Sequence, residues 1–192
     1  NLLSVVRRRL MICLIVSCMY LRLIVFLSLS FVASFNLYAS EPEGSHASNE
    51  WQIWAYSKAA PSFLGNFASV VSGDGEVIRE GVNGWTCTAT KPMPEDGFST
   101  PHHAFALCAD DEGFKWASAY MEGTTPNMER DAYIWMLHGD TGEDNAAPGG
   151  NKSMAMKHDH WIESGPHLML MPKNPESIAA FSTDFTTGAP YQ

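Results

Sequence analysis

Apolar and polar positions fall into distinct regimes along the chain. Residues 10–35 are nearly all apolar, with Arg22 the single charge, which divides them into Leu10–Leu21 and Leu23–Phe35. After residue 50 the pattern changes to short apolar or alternating runs separated by Gly, Pro, Asn and Asp, the signature of strands and turns. Trp51–Tyr56 is aromatic-rich but too short to assign, and Ala60-Pro61 ends it. Phe67–Ser72 and Glu76–Glu80 flank Gly73-Asp74-Gly75, which predicts a hairpin. Gly84–Thr90 is rich in β-branched and aromatic residues and predicts a third strand. Lys91–His103 holds Pro92, Pro94 and Pro101 and reads as a loop. Ala109–Glu122 carries Phe114, Ala117, Tyr120 and Met121 on one helical stripe. Asp110 is its cap, and Gly123 lies just past its end. Ala132–Leu137 fits a strand better than a helix running from Met128. His138–Gly150 is an acidic, glycine-containing loop. His167–Met171 reads as a strand ended by Pro172, and Asn174-Pro175-Glu176 starts a short helix over Pro175–Phe181. Strands interspersed with one or two helices, without βαβ alternation, predict a single α+β domain on an antiparallel β-sheet.

The N-terminal apolar region reads as a signal peptide rather than part of the fold. Leu23–Phe35 is 13 residues long, the size of an h-region. Arg22 supplies the positive flank, and cleavage is expected after Ala39 or Ser40. The expected start is Met19, or else Met11, since the chain opens on Asn1. A retained anchor and a lipoprotein, with Ser17-Cys18 as a loose lipobox, are the alternatives. The organisation is therefore a signal region over 1–40, a flexible polar leader over 41–50 and one globular domain over 51–192. The chain ends on Gly188–Gln192 after a strand-like stretch, which suggests that the domain runs on.

Processing changes the charge. Losing Arg7, Arg8, Arg9 and Arg22 leaves eight bases against 21 acids, a net charge of −13 over residues 41–192. That balance argues against a nucleic-acid partner and against stable membrane insertion after processing. A partner protein or small ligand is not identified by sequence. Only Cys87 and Cys108 remain after processing. In a secreted or periplasmic setting such a pair is expected to form a disulfide, the alternative being a free nucleophilic or metal-binding thiol, which an oxidising compartment works against. A Cys-x-x-Cys or HExxH pattern is absent, so a structural zinc site or a zincin has no support.

The stretches GVNGWTC, CADDEGFKWASAYM, ERDAYIWMLHGD and GPHLMLMPKNP resemble a family of secreted bacterial proteins of uncharacterised activity. They cover much of residues 80–176. The resemblance implies secretion and carries over no functional residue.

Candidate chemistry centres on His and Met. Residues 154–160 and 167–171 contain Met154, Met156, His158, His160, His167, Met169 and Met171. If both stretches are strands joined by a turn at Glu163–Pro166, Ile162 faces His167, His160 faces Met169 and His158 faces Met171, all on one side. Thioethers with imidazoles suit copper(I) better than zinc, calcium or magnesium. The bland alternatives are methionine as core filler and an exposed loop carrying His158 and His160.

A second constellation is His138 with Asp140, Glu143 and Asp144. It points to general acid/base work of a hydrolase kind or to calcium, although the spacing is not that of an EF-hand. G-x-S-x-G and Walker A motifs are absent, which leaves the enzyme reading the weaker. His102-His103 lies in the loop closed by the expected disulfide. Trp51, Trp54, Tyr56, Trp85, Trp116, Trp135 and Trp161 line a cleft or fill a core. Asn151-Lys152-Ser153 is a glycosylation sequon, relevant in a eukaryotic secretory pathway. Three readings follow: a copper-binding secreted domain, a non-enzymatic interaction domain, and an enzyme using the His138 loop.

Overall fold

The computed structural model of the chain describes residues 40–144, 147, 150–184, 187 and 190. Residues 1–39, where the signal region is expected, and most of the closing stretch from 185 lie outside the described residues. Pro42–Gln192 is a unit of its own.

Six strands form one sheet in the order β2-β1-β3-β4-β5-β8: β1 Ser69–Val71, β2 Val77–Arg79, β3 Thr86–Ala89, β4 Ala106–Ala109, β5 Ala132–Met136 and β8 His167–Met171. Every neighbouring pair is antiparallel except β1 with β3, which is parallel. β6 Glu143–Asp144 and β7 Trp161–Ile162 form a separate two-stranded ribbon. The helices are α1 Asn49–Ser57, α2 Ser62–Gly65, α3 Asp111–Glu122 and α4 Lys152–Lys157, with a 3-10 turn at Pro175–Ile178. The fold is thus α+β around a largely antiparallel sheet.

Strand alternation sends side chains to both faces and creates two cores. On one face Val70, Cys87, Ala106 and Cys108 pack under Trp51, Ala55 and Tyr56 of α1. On the other, Leu107, Ala109, Ala132, Ile134, Met136 and Met171 pack with Phe114 and Trp116 of α3. β4 is buried throughout because it feeds both.

The hairpin β1–β2, strands β3 and β5, and helix α3 form where the pattern placed them. Asp110 caps α3 by accepting the Gly113 amide at 3.0 Å. Gly123 leaves the helix at φ 65, with Thr124 N donating to Ala119 O at 2.8 Å. Asn174 caps the 3-10 turn, which is shorter than the helix expected there.

The polar stretch 41–50 is not a loose leader. Ser48 Oγ accepts the Trp51 amide at 3.2 Å and starts α1 at Asn49. The His46 ring donates from Nδ1 to Phe98 O at 2.6 Å and stacks on Trp51 with centroids 4.5 Å apart. His46 and Gly97 form a parallel bridge. Gly97 sits at φ 81, and a Cβ there would lie 2.4 Å from Ala47 N, so only glycine fits. Low hydropathy alone hid these contacts, because they come from a cap, a ring stack and one backbone bridge.

Cys87 and Cys108 are bonded, as expected, with Cα atoms 4.0 Å apart. They are register partners on β3 and β4, so the bond cross-links adjacent strands in the centre of the sheet.

Candidate functional site

The expected His/Met hairpin does not form. Residues 152–157 are helix α4, not a strand. Asn151 supplies the cap, its side chain accepting the Met154 amide at 3.2 Å. Residues 152–160 contain no β-branched or aromatic residue, so nothing opposes the helix. β7 then pairs with β6, and β8 pairs with β5, so neither pairs across the Glu163–Pro166 turn. His160 therefore does not face Met169, and His158 does not face Met171.

Met154 and Met156 lie exposed on α4. His158 ends the helix and Asp159 turns the chain at φ 58. His158 and His160 are both exposed, with ring centroids 6.1 Å apart. His167, Met169 and Met171 share the α3 side of β8, where Met171 is core and His167 donates from Nδ1 to Gly165 O at 2.7 Å. Among the described residues, no three His, Cys, Asp or Glu side chains gather as a metal site.

The His138 constellation is likewise taken up by the fold. Leu137 N donates to Ala59 O at 2.9 Å, which pins the end of β5 to the segment after α1. The His138 ring donates from Nε2 to Ala55 O at 2.9 Å, and His138 O accepts from His102 Nδ1 at 2.8 Å. Among the described residues, no carboxylate hydrogen-bonds the His138 ring. Asp140 is buried and its Oδ1 accepts two amides, Gly142 at 2.9 Å and Ser164 at 3.1 Å. Glu143 pairs with Lys91 at 3.2 Å. His138 and Asp140 thus hold the loop to the backbone around it. His103 is bonded within its own loop, to Thr100 at 2.7 Å and Ser99 at 3.1 Å.

Burial pushes the His138 imidazole below its usual 6.5, against the opposing pull of the Ala55 carbonyl. Lys58 and His102 add to the lowering. The unfolded chain therefore takes up this proton at higher pH than the folded one. Its stabilising contribution is whole above pH 6.5 and is lost as pH falls through that value towards the lower folded pKa. Glutamine can keep the bond to Ala55 O without titrating. The melting temperature of the native chain should drop more between pH 8 and pH 5 than that of His138→Gln. Parallel profiles would contradict this.

The tryptophans do not line one cleft. Trp51, Trp54, Trp85 and Trp135 pack on the α1 side, whereas Trp116 packs on the α3 side and stacks on Tyr120 at 5.1 Å. An open groove of about 570 Å³ along α3, lined by Phe114, Lys115, Ser118, Glu122, Thr124 and Asn127, contains none of the expected residues. Among the described residues, no helix is long and apolar enough to cross a membrane.

The apolar pattern did not announce that the sheet ends at β8 among the described residues. β8 is the last strand of the order, and α1 packs mainly on β1, β2, β3 and β4. Tyr133 faces Leu170, and Trp135 faces Leu168, on the α1 side of the sheet. Tyr133 is 47% exposed, Leu168 44% and Leu170 38%. The expectation of β8 as a buried strand with methionine as filler thus holds on one face only. A signal for this was present: Pro166 and Pro172 bracket the strand, and proline is confined to sheet edges and strand ends.

The opposite edge is different. β2 is three residues long, and its Arg79 guanidinium folds back onto Ala68 O and Gly65 O. Short length and charge blunt such an edge against pairing. β8 is five residues long, and none of them is Asp, Glu, Lys or Arg.

No protein-family model matches the chain, and no curated protein or solved structure is significantly similar to it.

Proposed function

We propose that the chain is a non-enzymatic, disulfide-bonded binding module of the secreted or periplasmic space, and that it takes an extended polypeptide along β8. The observation that carries this reading is the exposed row of Tyr133, Leu168 and Leu170 beside an uncharged strand edge that has no paired neighbour among the described residues. An edge strand offers main-chain donors and acceptors for strand addition, and alternate side chains on the adjoining face give selectivity. Exposed apolar groups of this kind mark interaction surfaces. The cross-strand disulfide and the apolar run at Leu23–Phe35 support the compartment. His138 and Asp140, which an enzyme would use for acid/base work, hold backbone groups.

Selection of displayed, extended heptapeptides against Pro42–Gln192 tests the reading. Bound sequences should alternate apolar residues with a period of two. Leu168→Glu with Leu170→Glu should weaken them at least tenfold while the melting temperature stays within about 2 °C, because both side chains face solvent. Binders indifferent to this double variant would refute the proposal.

A second reading keeps copper. It rests on the exposed His158 and His160 pair, with Met154 one helical turn before His158. Copper(I) titration of the native chain and of His158→Ala with His160→Ala decides it. Equal uptake by both would end that reading.

A further inference from the structure

The strand that seeks a partner is nearly its own mirror in sequence. Residues 166–172 read Pro-His-Leu-Met-Leu-Met-Pro, centred on Met169. Two copies laid antiparallel about a two-fold axis through Met169, normal to the sheet, place Met169 opposite Met169 of the other copy. Leu168 falls opposite Leu170, and His167 opposite Met171. Pro166 then faces Pro172 at both ends, just beyond the ladder, where no amide is needed.

Side-chain parity limits the choices. A continuous sheet needs residues of one face to oppose each other, so the axis passes through a residue rather than between two. Centring on Leu168 puts Pro166 against Leu170, and centring on Leu170 puts Pro172 against Leu168. Either shift brings proline into the ladder and loses residue pairs. Only the register at Met169 pairs all five residues of β8.

We infer that β8 joins two copies of this chain edge to edge, in the antiparallel register centred on Met169. This rests on the strand-docking reading above and names the occupant as a second copy. The interface is isologous, so each half supplies the same contacts. Leu168 of one copy packs beside Leu170 of the other, which closes the half-exposed row from the side. No Asp, Glu, Lys or Arg lies within the five paired residues, so the acidic surface does not bring like charges into the ladder. Five residues on each side of one strand pair make a small interface, below the roughly 800 Å² per partner of standard complexes. The dimer is therefore a weak one, with a dissociation constant above about 1 μM.

Cysteine cross-linking reads the register directly. In the folded unit both native cysteines are already bonded, so an added thiol has no intramolecular partner. The native bridge also shows that register-opposed residues on antiparallel strands of this sheet can be disulfide-linked. Met169→Cys should give a reducible dimer under mild oxidation, whereas Lys173→Cys, four residues from the axis, should not. Sedimentation equilibrium supplies the second measurement. Leu168→Glu with Leu170→Glu should weaken association at least tenfold. Leu168→Lys with Leu170→Glu should restore it, because the introduced lysine of each copy then faces the introduced glutamate of the other.

No more cross-linking at 169 than at 173, or a native chain that stays monomeric up to about 1 mM, would overturn the second-copy assignment. If selected peptides still bind β8 in that case, strand docking stands and only its occupant changes. If they do not, both fall together.

Discussion

Replacing Cys87 by alanine is expected to cost about 3 kcal/mol of stability, and Cys108→Ala the same amount. Each removes one bridge closing a sequence separation of 21 residues. Both sulfurs lie fully buried under α1, with Cys108 Sγ 3.5 Å from Tyr56 O. The bond links β3 to β4 at the centre of the sheet, so its loss is felt on both sides of the central pair. In melting temperature the effect is about 6–12 °C for a unit of this size. The Cys87→Ala, Cys108→Ala double variant should melt close to either single variant, because the second change has no bridge left to remove. Differential scanning calorimetry under non-reducing conditions checks this. Additive losses from the two single variants would mean that the cysteines act as separate packing groups.

The second large effect is expected from Trp51→Ala, at about 4 kcal/mol. Trp51 is 1% exposed and sits where three contacts meet. His46 stacks on it at 4.5 Å, Tyr56 meets it edge-on at 6.5 Å, and Trp54 lies tilted against it at 6.2 Å. Truncation leaves a cavity in the α1-side core and removes the surface on which His46 rests. Hydrogen exchange should therefore speed up in Ser45–Ser48 and at Phe98 together, beyond the general loss seen in chemical denaturation. A variant with lowered stability but unchanged exchange at residues 45–48 would show that the N-terminal segment is held by its backbone bridge alone.

The α+β class was legible because its signals are local. Gly73-Asp74-Gly75 makes a turn between any two strands, and Asp110 with Gly123 brackets α3 without help from the rest of the chain. The disulfide was legible because only two cysteines lie after residue 40. The candidate chemistry was less legible, since it depended on which strands pair. Met154-Ala155-Met156 and His158–His160 alternate as a strand would, yet Asn151 caps the methionines into α4, the two histidines follow its end, and β8 finds β5 instead. That pairing joins residues more than 30 apart in sequence, and no turn signal announces it. His138 shows a related limit. A histidine beside carboxylates reads the same in sequence whether those carboxylates face it or, as for Asp140, turn to accept backbone amides.

The most direct test of strand docking is amide hydrogen exchange on Pro42–Gln192, with and without a capped heptapeptide of alternating leucine and threonine. The account predicts that the peptide slows exchange within His167–Met171, while β2 at the other edge is unchanged. Binding that protects the α3 groove or the His158–His160 turn and leaves β8 exchanging as before would contradict it.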